Sequence, residues 1–163
     1  MNTLPDFAYQ RMDSRTDARS AFDTATENAR RRILVFDRDD TYYGLSRAEL
    51  AGHFDQFLRR GPDARIEILL QQTQDFQVRC PRLMSLMLRH GERILVRQAG
   101  GAAAHYERGL AVFDEAVVLR RPHVARPVTV WDAGEEAIAE AAHLLCEISE
   151  QAGPPLSPVA TGL

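Results

Sequence analysis

The chain has 163 residues, 45% apolar and 26% charged, values that fit one globular domain with a core of its own. Its formal net charge of −3 excludes a global attraction to nucleic acid or anionic membrane and leaves room only for local basic patches. All 20 basic residues are arginine, which excludes lysine-dependent chemistry, from a Schiff base to a P-loop ammonium.

Residues 1–13 read as a flexible tail without the basic and then apolar pattern of a signal peptide. A helix is expected over Thr16–Arg31, with Ala18, Phe22, Ala25 and Ala29 on one face. The uninterrupted apolar run Ile33–Phe36 reads as a strand buried on both faces. A polar loop follows, and Ser46 with Glu49 three residues on predicts a capping box for a helix that buries Leu50, Phe54, Phe57 and Leu58. Gly61 and Pro62 end that helix, and Ile66–Leu70 is the second strand. A helix from Pro81, burying Leu83, Met84, Met87 and Leu88, runs to Gly91, and Ile94–Val96 is the third strand. Strands joined by such helices lie parallel with right-handed crossovers.

Beyond the small-residue loop 100–104 the pattern changes. Leu110–Phe113 and Ala116–Leu119 read as a hairpin turning at Asp114-Glu115. Val128–Trp131 is a further strand, and Asp132 with Glu135 caps a last helix reaching Ser149, with Ile138, Ala141, Ala142, Leu145 and Ile148 inward. Residues 152–163 read as a second flexible tail. The fold class expected is α/β: a mixed, mostly parallel sheet flanked by helices, with a C-terminal antiparallel hairpin, in one domain over 14–151. No stretch approaches the roughly 20 apolar residues that span a bilayer, so the expectation is a cytoplasmic protein away from the membrane. Cys80 and Cys146 have no metal-ligand spacing and read as small buried hydrophobes.

The order helix, β, α, β, α, β, β, β, α over residues 16–150 resembles one half of a phospholipase D-type fold. That family carries His-x-Lys-x4-Asp on its hairpin, with the histidine as nucleophile toward phosphorus and the lysine on the phosphate oxygens. The matching stretch here is His105–Asp114. Anchored on Asp114, Glu107 stands at the histidine position and Gly109 at the lysine position. Anchored on His105, Glu107 falls at the lysine position and Val112 at the aspartate position. Neither register supplies the triplet, and Arg120-Arg121-Pro122-His123 lacks the Gly-Ser and Asn that follow in the family. The Arg120-Arg121 pair with Arg126–Trp131 also resembles uncharacterised domains associated with GNAT-type N-acetyltransferases, which implies an accessory role.

The candidate catalytic residues are therefore His105, Arg108 and Asp114. A strand bulge would bring His105 and Arg108 together, with Arg108 as phosphate clamp. The candidate ligand-binding residues are His105, Glu107, Arg108, Arg120 and Arg121. Each has a plainer reading: His105, Glu107 and Arg108 as an exposed junction, Asp114 as a hairpin turn, and Arg120, Arg121 and Arg126 as surface charges. Arg30, Arg31 and Arg32 read as a solvated helix end, and Asp37, Asp39 and Asp40 as a solvated acidic loop. Tyr42-Tyr43-Gly44 follows the first strand, where α/β folds place ligand contacts, or covers the core edge. His53, His90 and His143 show no metal-ligand spacing; neither a metal nor a cofactor is expected.

Three functions remain. The first is a catalytically silent phospholipase D-like domain serving as a binding, regulatory or assembly module. Such active sites form between two halves, so the resemblance implies a homodimer or a protein partner. The second is a metal-independent phosphodiesterase using His105 and Arg108. The third, less favoured, is nucleic-acid binding through Arg120, Arg121 and Arg126.

Overall fold

The computed structural model describes residues 8–158. Seven strands and five α-helices follow one another as β1 (Tyr9–Met12), α1 (Arg15–Asn28), β2 (Arg32–Asp37), α2 (Ala48–Arg59), β3 (Arg65–Leu70), α3 (Phe76–Arg79), α4 (Pro81–His90), β4 (Ile94–Gln98), β5 (Gly109–Phe113), β6 (Val117–Arg121), β7 (Thr129–Asp132) and α5 (Glu135–Glu150). One sheet holds all seven strands in the order β1-β7-β6-β5-β2-β3-β4. Only β2–β3 and β3–β4 pair parallel; β2–β5, β5–β6, β6–β7 and β7–β1 are antiparallel. The α/β class and the hairpin hold, but the sheet is mixed and mostly antiparallel rather than mostly parallel. Helical crossovers link only β2, β3 and β4; β5, β6 and β7 follow one another through short connections that favour antiparallel neighbours, and the non-consecutive pairs β2–β5 and β1–β7 are antiparallel as well.

Residues on the sheet alternate between two cores. Ile33 and Val35 of β2, Ala111 and Phe113 of β5 and Val117 and Leu119 of β6 face α1, α2 and α4. Leu34, Phe36, Leu110, Val112 and Val118 face the other way, against Ala141, Leu145 and Ile148 of α5. Phe22, Phe54, Phe57 and Phe113 are fully buried in the first layer, each worth about 2–3 kcal/mol of transfer free energy.

Several local expectations are corrected. Tyr9–Met12, expected in the tail, pairs with β7; residues 1–7 and 159–163 lie outside the described residues. Arg47, not Ser46, is the N-cap of α2 and makes no side-chain cap bond. Gly134 is the N-cap of α5, while Asp132 accepts from the Gly134 N–H at 2.9 Å. On α4 Leu83, Met84 and Met87 are buried as expected, but the fourth buried residue is Leu86 and not Leu88, which is 63% exposed. Cys80 is buried, but Cys146 is exposed. No helix among the described residues is long and apolar enough to cross a membrane.

Candidate functional site

Asp37 ends β2 on the face occupied by α1 and α2, in step with Ile33 and Val35. Across the sheet, Phe36 pairs with Leu110 and Gly109 pairs with Arg121, so Asp37, Gly109 and Arg121 form a row over β2, β5 and β6. Arg121 Nη1 donates to Asp37 Oδ1 over the top of Gly109. The glycine is required there. A Cβ at position 109 would sit 2.9 Å from Asp37 Oδ2 and 3.3 Å from the Phe36 carbonyl oxygen.

The pair is sealed in. Asp37 is 2% and Arg121 4% exposed. Arg121 Nη2 donates to the Val124 carbonyl at 2.9 Å, and its guanidinium carbon stands 3.5 Å from the Tyr42 ring centroid. Tyr42 and Thr129 join their hydroxyls at 2.6 Å, and the Arg38 N–H donates to Asp37 Oδ1 at 2.7 Å. Burial pushes the Asp37 carboxyl above its usual range and outweighs the opposing pull of Arg121. Burial likewise raises the Tyr43 phenol well above its usual value, with Asp37 adding to the effect.

The loop after β2 is thus no solvated acidic segment. Asp40 pairs with Arg79 and accepts from the Cys80 thiol at 3.7 Å. Burial first, and Asp40 second, push that thiol up to about 12. Asp39 accepts from the Thr41 N–H at 2.9 Å and hydroxyl at 2.6 Å. Tyr42 and Tyr43 are buried and cover the core edge.

The residues singled out from sequence are scattered. His105 ends a 3-10 turn, Gly101–His105, and is exposed. Its imidazole makes no hydrogen bond or ion pair with any described residue. β5 pairs residue for residue with β2 and β6 from Gly109 onward, and His105 and Arg108 lie ahead of that strand. Glu107 instead meets His123 at 3.3 Å, and Arg108 stacks over Tyr106 at 5.6 Å. Arg108 and Arg120 line a groove of about 380 Å³ beside α5, where Arg120 approaches Asp132 at 3.4 Å. Arg121 points to the opposite face, so the Arg120-Arg121-Arg126 patch does not exist as one surface. Asp114 accepts from the backbone N–H groups of Arg30, Arg31 and Arg32 at 2.6, 2.8 and 2.8 Å. Its role is to pin the hairpin to the end of α1.

His53, His90 and His143 each face a carboxylate, respectively Glu27 at 3.4 Å, Asp55 at 2.8 Å and Glu147 at 3.2 Å. Among the described residues no three His, Cys, Asp or Glu side chains gather as a metal site. The arrangement at the end of β2 therefore holds a buried ion pair, Asp37 with Arg121, beside the joined hydroxyls of Tyr42 and Thr129. Sequence reading passed over Asp37, Gly109 and Arg121 as a unit. The available signal was the alternation Val117, Leu119, Arg121, which puts that arginine on a core face.

The fold is of the phospholipase D type. Nuc from Salmonella typhimurium, a phospholipase D family member, superposes with a TM-score of 0.62 at 12% identity, over 91% of this chain and 97% of that one. Phosphatidylserine synthase from Haemophilus influenzae gives 0.62 at 10% identity, over 91% of this chain and 39% of the synthase. TrmBL2, an archaeal chromatin protein whose structure shows a novel mode of DNA binding, gives 0.70 at 15% identity, over 92% of this chain. This chain spans about half, 55%, of TrmBL2. At such identities the likeness is one of fold. No curated protein matches the sequence. The chain belongs to the family described as domain of unknown function (DUF7931), which it matches over residues 14–143.

Proposed function

We propose that this is a catalytically silent phospholipase D-like half that works as a cytoplasmic binding, regulatory or assembly module, paired with a second copy or a partner protein. One observation carries the reading: Arg121 reaches Asp37 across Gly109 and closes the end of β2. The register anchored on Asp114 assigns the phosphate-holding lysine to position 109, and any side chain there collides with Asp37. A glutamate, Glu107, stands at the histidine position, and an acceptor-only anion repels a phosphate.

Pairing is supported by the extent of the likeness. The chain matches nearly the whole of Nuc and well under half of the synthase, as a single unit of a two-unit fold would. Light scattering on the purified protein at micromolar concentration tests this. A dimer is expected, or a monomer that captures a defined partner. A monomer that captures none contradicts the reading.

A further inference from the structure

Among the described α-helices only α5 packs on the second face of the sheet, over β2, β5 and β6. The β4 edge is closed by the chain itself: residues 152–158, read from sequence as a tail, lie antiparallel to it with Pro155 opposite Arg97. The flank of α5 toward β6 and β7 is open. There lies the groove of about 380 Å³ that Arg108 and Arg120 line.

Its two walls carry opposite charge. Leu110 pairs with Arg120 in the β5–β6 register, and Arg108, two residues before Leu110, lines the same groove. On the facing wall Glu136, Glu140 and Leu144 succeed one another at four-residue steps along α5. Ala137 and Ala141 lie on the same helix flank, and side chains that small leave the space between the walls open. Leu110 and Ala141 are buried and give the groove an apolar floor.

Opposite charges on two walls attract and would ordinarily close on each other. Here they do not. Arg108 stacks over Tyr106 and forms no ion pair among the described residues, and the carboxylates of Glu136 and Glu140 form none either. Arg120 has one long contact, Asp132 at 3.4 Å, and Asp132 is already held by the Gly134 N–H at 2.9 Å. Guanidinium groups and carboxylates thus face one apolar floor with their charges available to a third party.

We propose that this groove binds a small zwitterion of the ω-amino acid class. Its carboxylate lies on Arg108 and Arg120, its ammonium on Glu136 and Glu140, and its aliphatic spacer over Leu110 and Ala141. Guanidinium forks match a carboxylate. The two glutamates disfavour a purely anionic ligand and the two arginines a purely cationic one, so the lining selects for both charges on one molecule. The site lies on the opposite face from Asp37 and Arg121, and it does not depend on the pairing of two chains.

The test titrates ε-aminocaproate, caproate and hexylamine into isotope-labelled full-length protein at low salt and follows the amide shifts. ε-Aminocaproate should bind with a Kd of about 1 mM or tighter, and roughly fivefold or more better than either singly charged probe. Arg108→Gln should weaken ε-aminocaproate roughly fivefold and leave hexylamine unweakened. Glu140→Gln should weaken ε-aminocaproate by a similar factor and leave caproate unweakened. Both residues are exposed, so neither exchange threatens the fold. Ala137→Leu, which fills the groove, should remove binding of all three probes. Absence of shifts up to about 20 mM, where such a site is nearly filled, overturns the proposal. So does a zwitterion that binds no better than caproate or hexylamine, or one indifferent to both charge exchanges, because either marks adventitious contact with surface charges.

Discussion

Asp37 and Arg121 illustrate how costly a buried ion pair is. Two charges out of water are stabilising only through each other, and removal of one strands its partner. Arg121→Met should therefore lower stability by about 3–5 kcal/mol, while Asp37→Leu with Arg121→Met should recover most of the loss. Urea denaturation of the three proteins checks this, and a double variant no better than the single contradicts it. The same burial sets a pH dependence. The folded-state value of Asp37 lies above its unfolded value, so its contribution is fully present below about pH 4 and is lost as pH rises through the folded value.

Asp55 behaves in the opposite way. Burial pulls its carboxyl up, but the His90 hydrogen bond and the Arg59 and Arg89 charges together hold it below its usual range. Its contribution is present above about pH 4 and lost as pH falls through the folded value. The stability gap between the wild type and Asp55→Asn should accordingly close on acidification; a gap that widens instead refutes the assignment. The two thiols differ too. Exposed Cys146 should react promptly with an aromatic disulfide reagent at neutral pH, and Cys80, raised to about 12, only after unfolding. Two equally fast thiols would show that Cys80 is not sealed.

At the scale of elements, the hairpin turn is the joint that fixes β5 and β6 against α1. Asp114 and Glu115 both hold positive φ, 55° and 53°, as a type I′ turn requires. Asp114→Ala loses both the tolerance of that conformation and three charge-assisted acceptor contacts to Arg30, Arg31 and Arg32. A loss of about 2–3 kcal/mol is expected by thermal or urea denaturation, and a change under about 0.5 kcal/mol would show the cap to be idle. Asp114→Asn, which keeps the turn geometry, should lose less.

Elements with strong local signals were legible in sequence. The spacing of Ala18, Phe22 and Ala25 found α1, and Pro81 and Gly91 bracketed α4, where Gly91 at φ 64° ends the helix. β1 and the 152–158 segment were missed because their order comes from pairing with distant strands, which no local pattern encodes. Four-residue α3 carries too short a period to register. The site was less legible than the fold. Asp37, Gly109 and Arg121 are each ordinary in sequence and meaningful only once β2, β5 and β6 lie side by side.

For the whole molecule, a phospholipase D-type fold surrounds a buried ion pair at the end of β2. The register of β2, β5 and β6 brings Asp37, Gly109 and Arg121 together at the end of β2. His105 and Arg108 remain outside, on the rim, without a common partner. The most direct measurement is turnover of a chromogenic phosphodiester by the purified protein with chelator present, beside His105→Ala. The account predicts no turnover above buffer in either protein. Turnover in the wild type that vanishes in His105→Ala would contradict it and make this domain a working phosphodiesterase.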